Sequence, residues 1–133
     1  MKKVTKLFAI IAVVILLNAC STDDIIYSSS TITSQQKFIE NYNGVDTSAS
    51  FIVDVEFSDT DEGIIIEANE NLHAYIEVKK INGILVIKLR DNISITGNNT
   101  VLKAHIITKN NLNTLSASGA SNILLHNTLE GDE

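Results

Sequence analysis

The sequence predicts an all-β domain, and three observations carry that prediction. Apolar and polar residues alternate with a period of two from residue 37 onward. Turn signals recur about every 8–15 residues between those alternating runs. No stretch beyond the first twenty residues carries apolar positions at helical spacing. The chain has 133 residues, enough for one domain.

The N-terminus reads as a removable signal. Lys2, Lys3 and Lys6 make a positive start, and Leu7 to Leu17 carries no charge. The run ends Leu17-Asn18-Ala19-Cys20, a small residue before the only cysteine. A positive segment, a short apolar segment and a small-residue cut describe a secretory signal peptide over residues 1–19. A spanning helix needs about 20 apolar residues, more than this run offers. The segment resembles the lipobox of bacterial lipoproteins, with Asn18 at a permissive position. The resemblance implies that Cys20 takes a diacylglyceryl group on its thiol and, after cleavage, an acyl group on its amine. Acyl chains on one residue hold firmly, since each buried methylene adds about 0.8 kcal/mol. Ser21-Thr22-Asp23-Asp24 then resembles a short form of the acidic surface-export signals of Bacteroidetes lipoproteins.

Residues 20–36 are expected to be lipid anchor and tether. They are rich in Ser and Thr and show no sustained periodicity. Within them Ile25-Ile26-Tyr27 is either a first strand or a membrane-resting cluster. The β domain is expected over 37–133.

Strand signals follow in order. Phe51, Val53, Val55 and Phe57 alternate with Ile52, Asp54 and Glu56, a half-buried strand with both acids facing away. Asp59-Thr60-Asp61-Glu62-Gly63 reads as a turn. Ile64-Ile65-Ile66 begins a β-branched strand. Asn69-Glu70-Asn71 breaks the chain again. Leu72, Ala74, Ile76 and Val78 then alternate with His73, Tyr75, Glu77 and Lys79. Asn82-Gly83, between Ile81 and Ile84-Leu85-Val86-Ile87, predicts a type I′ hairpin, because both turn residues need positive φ. Further strands are expected at 93–96, 101–108 and 112–118. Residues 110–123 are rich in Asn and small side chains, which suits short stacked strands whose corners visit the left-handed region.

Several of these pieces, in order, resemble the auto-transporter adhesin, head GIN domain family of Bacteroidetes envelope proteins. They are Tyr42-Asn43-Gly44-Val45, Ile64-Ile65-Ile66-Glu67-Ala68-Asn69-Glu70-Asn71-Leu72, Ile81-Asn82-Gly83-Ile84-Leu85-Val86-Ile87 and Leu115-Ser116-Ala117-Ser118-Gly119-Ala120-Ser121-Asn122-Ile123. The resemblance spans roughly 37–126. It implies antiparallel strands and a hairpin leading into a right-handed β-helix-like (β-solenoid) stack. Family members carry further Ser-Gly-Ser rungs, whereas this chain ends at Leu129-Glu130-Gly131-Asp132-Glu133. The expectation is an incomplete stack whose open sheet edge favours self-association.

Composition narrows the chemistry. Removing residues 1–19 takes Lys2, Lys3 and Lys6 and moves the net charge from −6 to −9. That sign repels phosphate backbones, so nucleic acid is not an expected partner. One cysteine excludes an internal disulfide and a cysteine-rich zinc site. His73, His105 and His126 lie in no nucleophile motif, and His73 and His105 read as solvated histidines on polar strand faces. Asp59-x-Asp61-x-Gly63 lacks the spacing of a calcium loop. Asp54 and Glu56 share a strand face about 7 Å apart, a separation that glycoside cleavage also uses. Outward acids are ordinary on a half-solvated sheet, and the chain has no Trp to build a sugar platform. No catalytic residue, metal or cofactor is expected.

The expected protein is a non-enzymatic, lipid-anchored envelope module of the outer membrane, with a surface or adhesion role. A periplasm-facing scaffold or envelope-stress lipoprotein is one alternative. A polysaccharide-active β-helix enzyme is another. The expected partners are the membrane, through Cys20, and a glycan or an envelope protein. Surface and periplasmic faces both remain open.

Overall fold

The computed structural model describes residues 22–126. The expected signal peptide over residues 1–19, Cys20 and the segment Leu129–Glu133 lie outside the described residues. Eleven strands and one 3₁₀ segment follow in chain order: β1 (Asp24–Tyr27), β2 (Ile32–Lys37), β3 (Gly44–Thr47), β4 (Ile52–Phe57), β5 (Gly63–Asn69), η1 (Glu70–Tyr75), β6 (Ile76–Ile81), β7 (Ile84–Leu89), β8 (Ile93–Thr96), β9 (Leu102–Thr108), β10 (Thr114–Ala117) and β11 (Asn122–His126). The all-β expectation holds.

The strands make three open sheets. A four-stranded sheet has the order β10-β3-β7-β6, and a five-stranded sheet the order β11-β4-β9-β5-β2. The third sheet is β1 paired with β8. Both larger sheets mix directions. β10, β3 and β7 run parallel, as do β11, β4 and β9. β6, β5 and β2 join antiparallel. The chain crosses from the four-stranded to the five-stranded sheet three times: β3 to β4, β7 to β9 by way of β8, and β10 to β11.

Register turns the period-two pattern into columns. Val45 stands opposite Leu85 on one side and Leu115 on the other. Val53 stands between Ala104 and Ile123, and Val55 between Ile106 and Leu125. Val45, Leu85, Val53, Ala104, Val55 and Ile106 are buried, and Phe51, Ile64, Ile66, Leu72 and Ile87 complete the core with them. Each such aliphatic or aromatic side chain contributes about 1.5–3 kcal/mol by leaving water. A one-residue slip would turn a whole column out to solvent, so the pattern itself fixes the register.

The crossings need left-handed backbone. Ala49 and Ser50 at the β3–β4 corner have φ of 61° and 65°. Gly119 and Ala120 at the β10–β11 corner have φ of 60° and 63°. The two corners stack: Ser50 N–H donates to the Gly119 carbonyl at 2.9 Å, and Ser118 N–H to the Thr47 carbonyl at 3.0 Å. The expected Asn82-Gly83 hairpin joins β6 to β7 with both residues at positive φ.

Two expectations are corrected. First, residues 32–36 belong to a strand and not to a free tether, while Ile25-Ile26-Tyr27 takes the first-strand reading of its two alternatives. β1 pairs with β8, and β2 covers the outer edge of β5. Ser and Thr made this stretch look like linker, but the edges of β8 and β5 offer unpaired backbone groups that these residues satisfy. Ile26 turns inward to the core, while Tyr27 on the outer face is 71% exposed. Second, the alternation from Leu72 to Val78 is not one strand. η1 takes residues 70–75, and β6 begins at Ile76. The chain must step from β5 in one sheet to β6 in the other, and a tight 3₁₀ turn does this while burying Leu72.

Candidate functional site

Alternation on the five-stranded sheet puts a polar band on its outer face. Val53 and Val55 point inward, so Asp54 and Glu56 of β4 point out. Register sets Asp54 beside His105 of β9, and Glu56 beside His126 of β11. The contacts run diagonally. His126 Nε2 lies 3.1 Å from Asp54 Oδ1, and His105 Nε2 lies 3.4 Å from Glu56 Oε2. Further along the face, Lys103 Nζ is 3.7 Å from Glu67 Oε1. A shallow depression of about 250 Å³ lies among Asp54, Ile65, Glu67, Lys103, Ala104 and His105.

These pairs are half exposed, and each such pair contributes about 0–1 kcal/mol. Three adjacent strands present imidazole, carboxylate and ammonium groups at fixed spacing, since strands stand about 4.8 Å apart. Such a face can donate to and accept from a polar chain laid across it. Each acid of the Asp54/Glu56 pair is engaged by its own imidazole. Among the described residues no cluster of three or more His, Cys, Asp or Glu side chains is arranged to hold a metal ion.

The other histidine is placed differently from its expected role. His73 sits in η1, and its Nε2 lies 3.0 Å from the Thr33 carbonyl of β2. It ties η1 to the edge strand instead of standing free in solvent. The Asp59–Gly63 turn is built on Ser58, whose Oγ accepts from the N–H groups of Thr60 and Asp61. The pairing of His126 with Asp54 was not legible in the sequence, because it depends on β11 lying beside β4 across 72 residues.

A second feature lies at the β8 corner. A cleft of about 370 Å³ is lined by Leu89, Ile93, Ile95 and Leu102 together with Ala49, Ser50 and Thr100. Four of these lining side chains are aliphatic and come from β7, β8 and β9. The β3–β4 connection beside it turns at Ala49–Ser50, and among the described residues it contributes no strand there.

Buried Asn69 fixes the walls of this corner. Its Nδ2 donates to the Ser29 carbonyl at 2.7 Å and to the Asn99 carbonyl at 3.0 Å. Its Oδ1 accepts from Val101 N–H at 2.7 Å. One side chain therefore holds the β1–β2 turn and the β8–β9 loop together. Asn71 adds a bond from Nδ2 to the Tyr27 carbonyl at 2.7 Å.

The architecture is shared with solved proteins. A protein of Parabacteroides merdae described as a "putative adhesin" superposes with a TM-score of 0.67 at 18% identity, over 77% of this chain and 42% of that one. A Bacteroides fragilis protein described in the same words gives a TM-score of 0.67 at 18% identity, over 77% of this chain and 46% of that one. A Parabacteroides distasonis protein described as a "putative lipid binding protein" also gives 0.67 at 18% identity, over 77% and 44%. The chain thus spans less than half the length of these neighbours, and at this identity the likeness is one of fold. No curated protein matches the sequence. Residues 41–133 match the family model described as "Putative auto-transporter adhesin, head GIN domain", and with most of its length inside that match the chain belongs to this family.

Proposed function

We propose that this protein is a non-enzymatic adhesion module of the bacterial cell envelope, anchored by lipid at Cys20 and displaying its β domain from the outer membrane. Membership of the adhesin head GIN family is the observation that carries the reading. The Lys2–Cys20 segment supports the anchor, and β1 begins at Asp24, four residues after Cys20, so the domain would sit close to the membrane. The polar band of Asp54, Glu56, His105, His126 and Lys103 is the surface best suited to a glycan or an envelope protein. We read the parallel rungs β7–β9, β3–β4 and β10–β11 as the start of a right-handed β-solenoid. On that reading the edges of β10 and β11 are the place for a further rung or a second copy.

Protease shaving of intact cells tests the display. Loss of the 37–126 region, with a periplasmic control intact, is the expected result. Protection until lysis would put the domain inside the outer membrane and favour a periplasmic scaffold. A Cys20→Ala variant is expected to leave the membrane fraction, and its retention with lipid would contradict the anchor. Turnover on a glycan panel that is lost in both Asp54→Asn and Glu56→Gln would replace adhesion with catalysis.

A further inference from the structure

We propose that the open edge of β8 is a strand-addition site, which takes one extended peptide segment with aliphatic side chains at alternate positions. The argument starts from which backbone groups of β8 are used. Asp24 N–H donates to the Asn92 carbonyl at 2.8 Å, and Ser28 N–H donates to the Thr96 carbonyl at 3.0 Å. Successive residues of a strand direct their backbone groups to opposite edges, so the even-numbered residues 92, 94 and 96 serve β1. The N–H and C=O groups of Ile93 and Ile95 therefore face the other edge. Among the described residues β8 pairs with β1 alone, so that edge has no strand partner.

The space beside that edge lies at the level of β3 and β4. In the two larger sheets, β3 lies next to β7 and β4 lies next to β9 at the same level. On the β8 face no strand among the described residues holds the corresponding position, because the β3–β4 connection turns through Ala49 and Ser50 instead of extending one. That position opens onto the cleft lined by the aliphatic side chains of Leu89, Ile93, Ile95 and Leu102. An added strand would thus meet both requirements of β-augmentation. Main-chain groups of Ile93 and Ile95 supply hydrogen bonds, and the cleft takes alternate side chains. A lipid chain would fill the cleft but leave those backbone groups unpaired, whereas a peptide satisfies both. The strand slot is separate from the polar band on the five-stranded sheet.

The test uses the full chain reconstituted in phosphatidylcholine nanodiscs. The probe is the acetylated and amidated peptide Lys-Thr-Val-Ser-Val-Thr-Lys, and its control is the same peptide N-methylated at every interior residue, which cannot donate to a strand. Amide hydrogen exchange is followed residue by residue. In the free protein, the Ile93 and Ile95 amides are expected to exchange faster than those of Ser94 and Thr96. At probe ten times its Kd, exchange at Ile93 and Ile95 is expected to slow about tenfold, with no slowing by the methylated control. Equal effects of probe and control would overturn the proposal in favour of a purely apolar pocket. Unchanged exchange at Ile93 and Ile95, in protein whose other strand amides stay protected, would overturn it outright.

Discussion

Replacing Asn69 tests whether one buried side chain sets the geometry of the β8 corner. Asn69 is 1% exposed and makes three hydrogen bonds, to Ser29, Asn99 and Val101. Asn69→Ala removes all three and leaves two carbonyls and one N–H without their partner. At about 0.5–1.5 kcal/mol per bond, the expected loss is roughly 3 kcal/mol. Asn69→Asp is the sharper probe. Its carboxylate still accepts from Val101 N–H but faces the Ser29 and Asn99 carbonyls with no proton to donate. Burial opposite two acceptors raises its folded pKa above the unfolded value of about 3.9. The stability that the protonated acid retains is present below that unfolded value and lost as pH rises through the folded one. Asn69→Asp is therefore expected to be more stable relative to wild type at acid pH than at neutral pH. Asn69→Ala should show no such trend. Urea unfolding followed by circular dichroism suits a chain without Trp. A loss below about 1 kcal/mol for Asn69→Ala, or parallel pH profiles for the two variants, would refute the reasoning.

Three further outcomes are expected. Gly44→Ala places a Cβ 2.6 Å from Ile84 Cδ1 and 3.0 Å from the Thr114 carbonyl, which is backbone and cannot move aside; a loss of about 1–3 kcal/mol in urea is expected. Ala49→Gly relieves a left-handed alanine at the β3–β4 corner and should raise stability by about 1 kcal/mol, and a lower urea midpoint would contradict the strain. Tyr42 has its phenol pushed above the ordinary 10.0, by burial first, with a Thr108 hydrogen bond opposing and the Glu62 charge reinforcing the rise. The neutral phenol is favoured on folding, so its contribution is full below pH 10.0 and is lost as pH climbs through the folded value. Wild type should accordingly lose stability in that alkaline window more steeply than Tyr42→Phe, and superimposable midpoint-against-pH curves would refute the assignment.

The polar band shows where reading from sequence stops. Alternation alone placed Asp54 and Glu56 outward from Val53 and Val55, because side chains on a strand must alternate. It could not place His105 and His126 beside them, since that pairing is set by which strands become neighbours. His73 is the opposite case. Its polar surroundings suggested solvent, but the step from β5 to β6 brought it against the Thr33 carbonyl.

By itself the sequence determined the strand class, the Asn82-Gly83 hairpin and most of the core. These follow from local period and local turn chemistry, which act over a few residues and need no knowledge of neighbours. Tertiary structure alone decided that residues 32–36 pair rather than dangle, which of two readings residues 25–27 take, that residues 70–75 coil into η1, and that among the described residues β8 pairs along one edge only. Those outcomes depend on which distant backbone edges are vacant. A hydrogen-bonding group is satisfied by whatever strand reaches it, and that choice is made only when the sheets assemble.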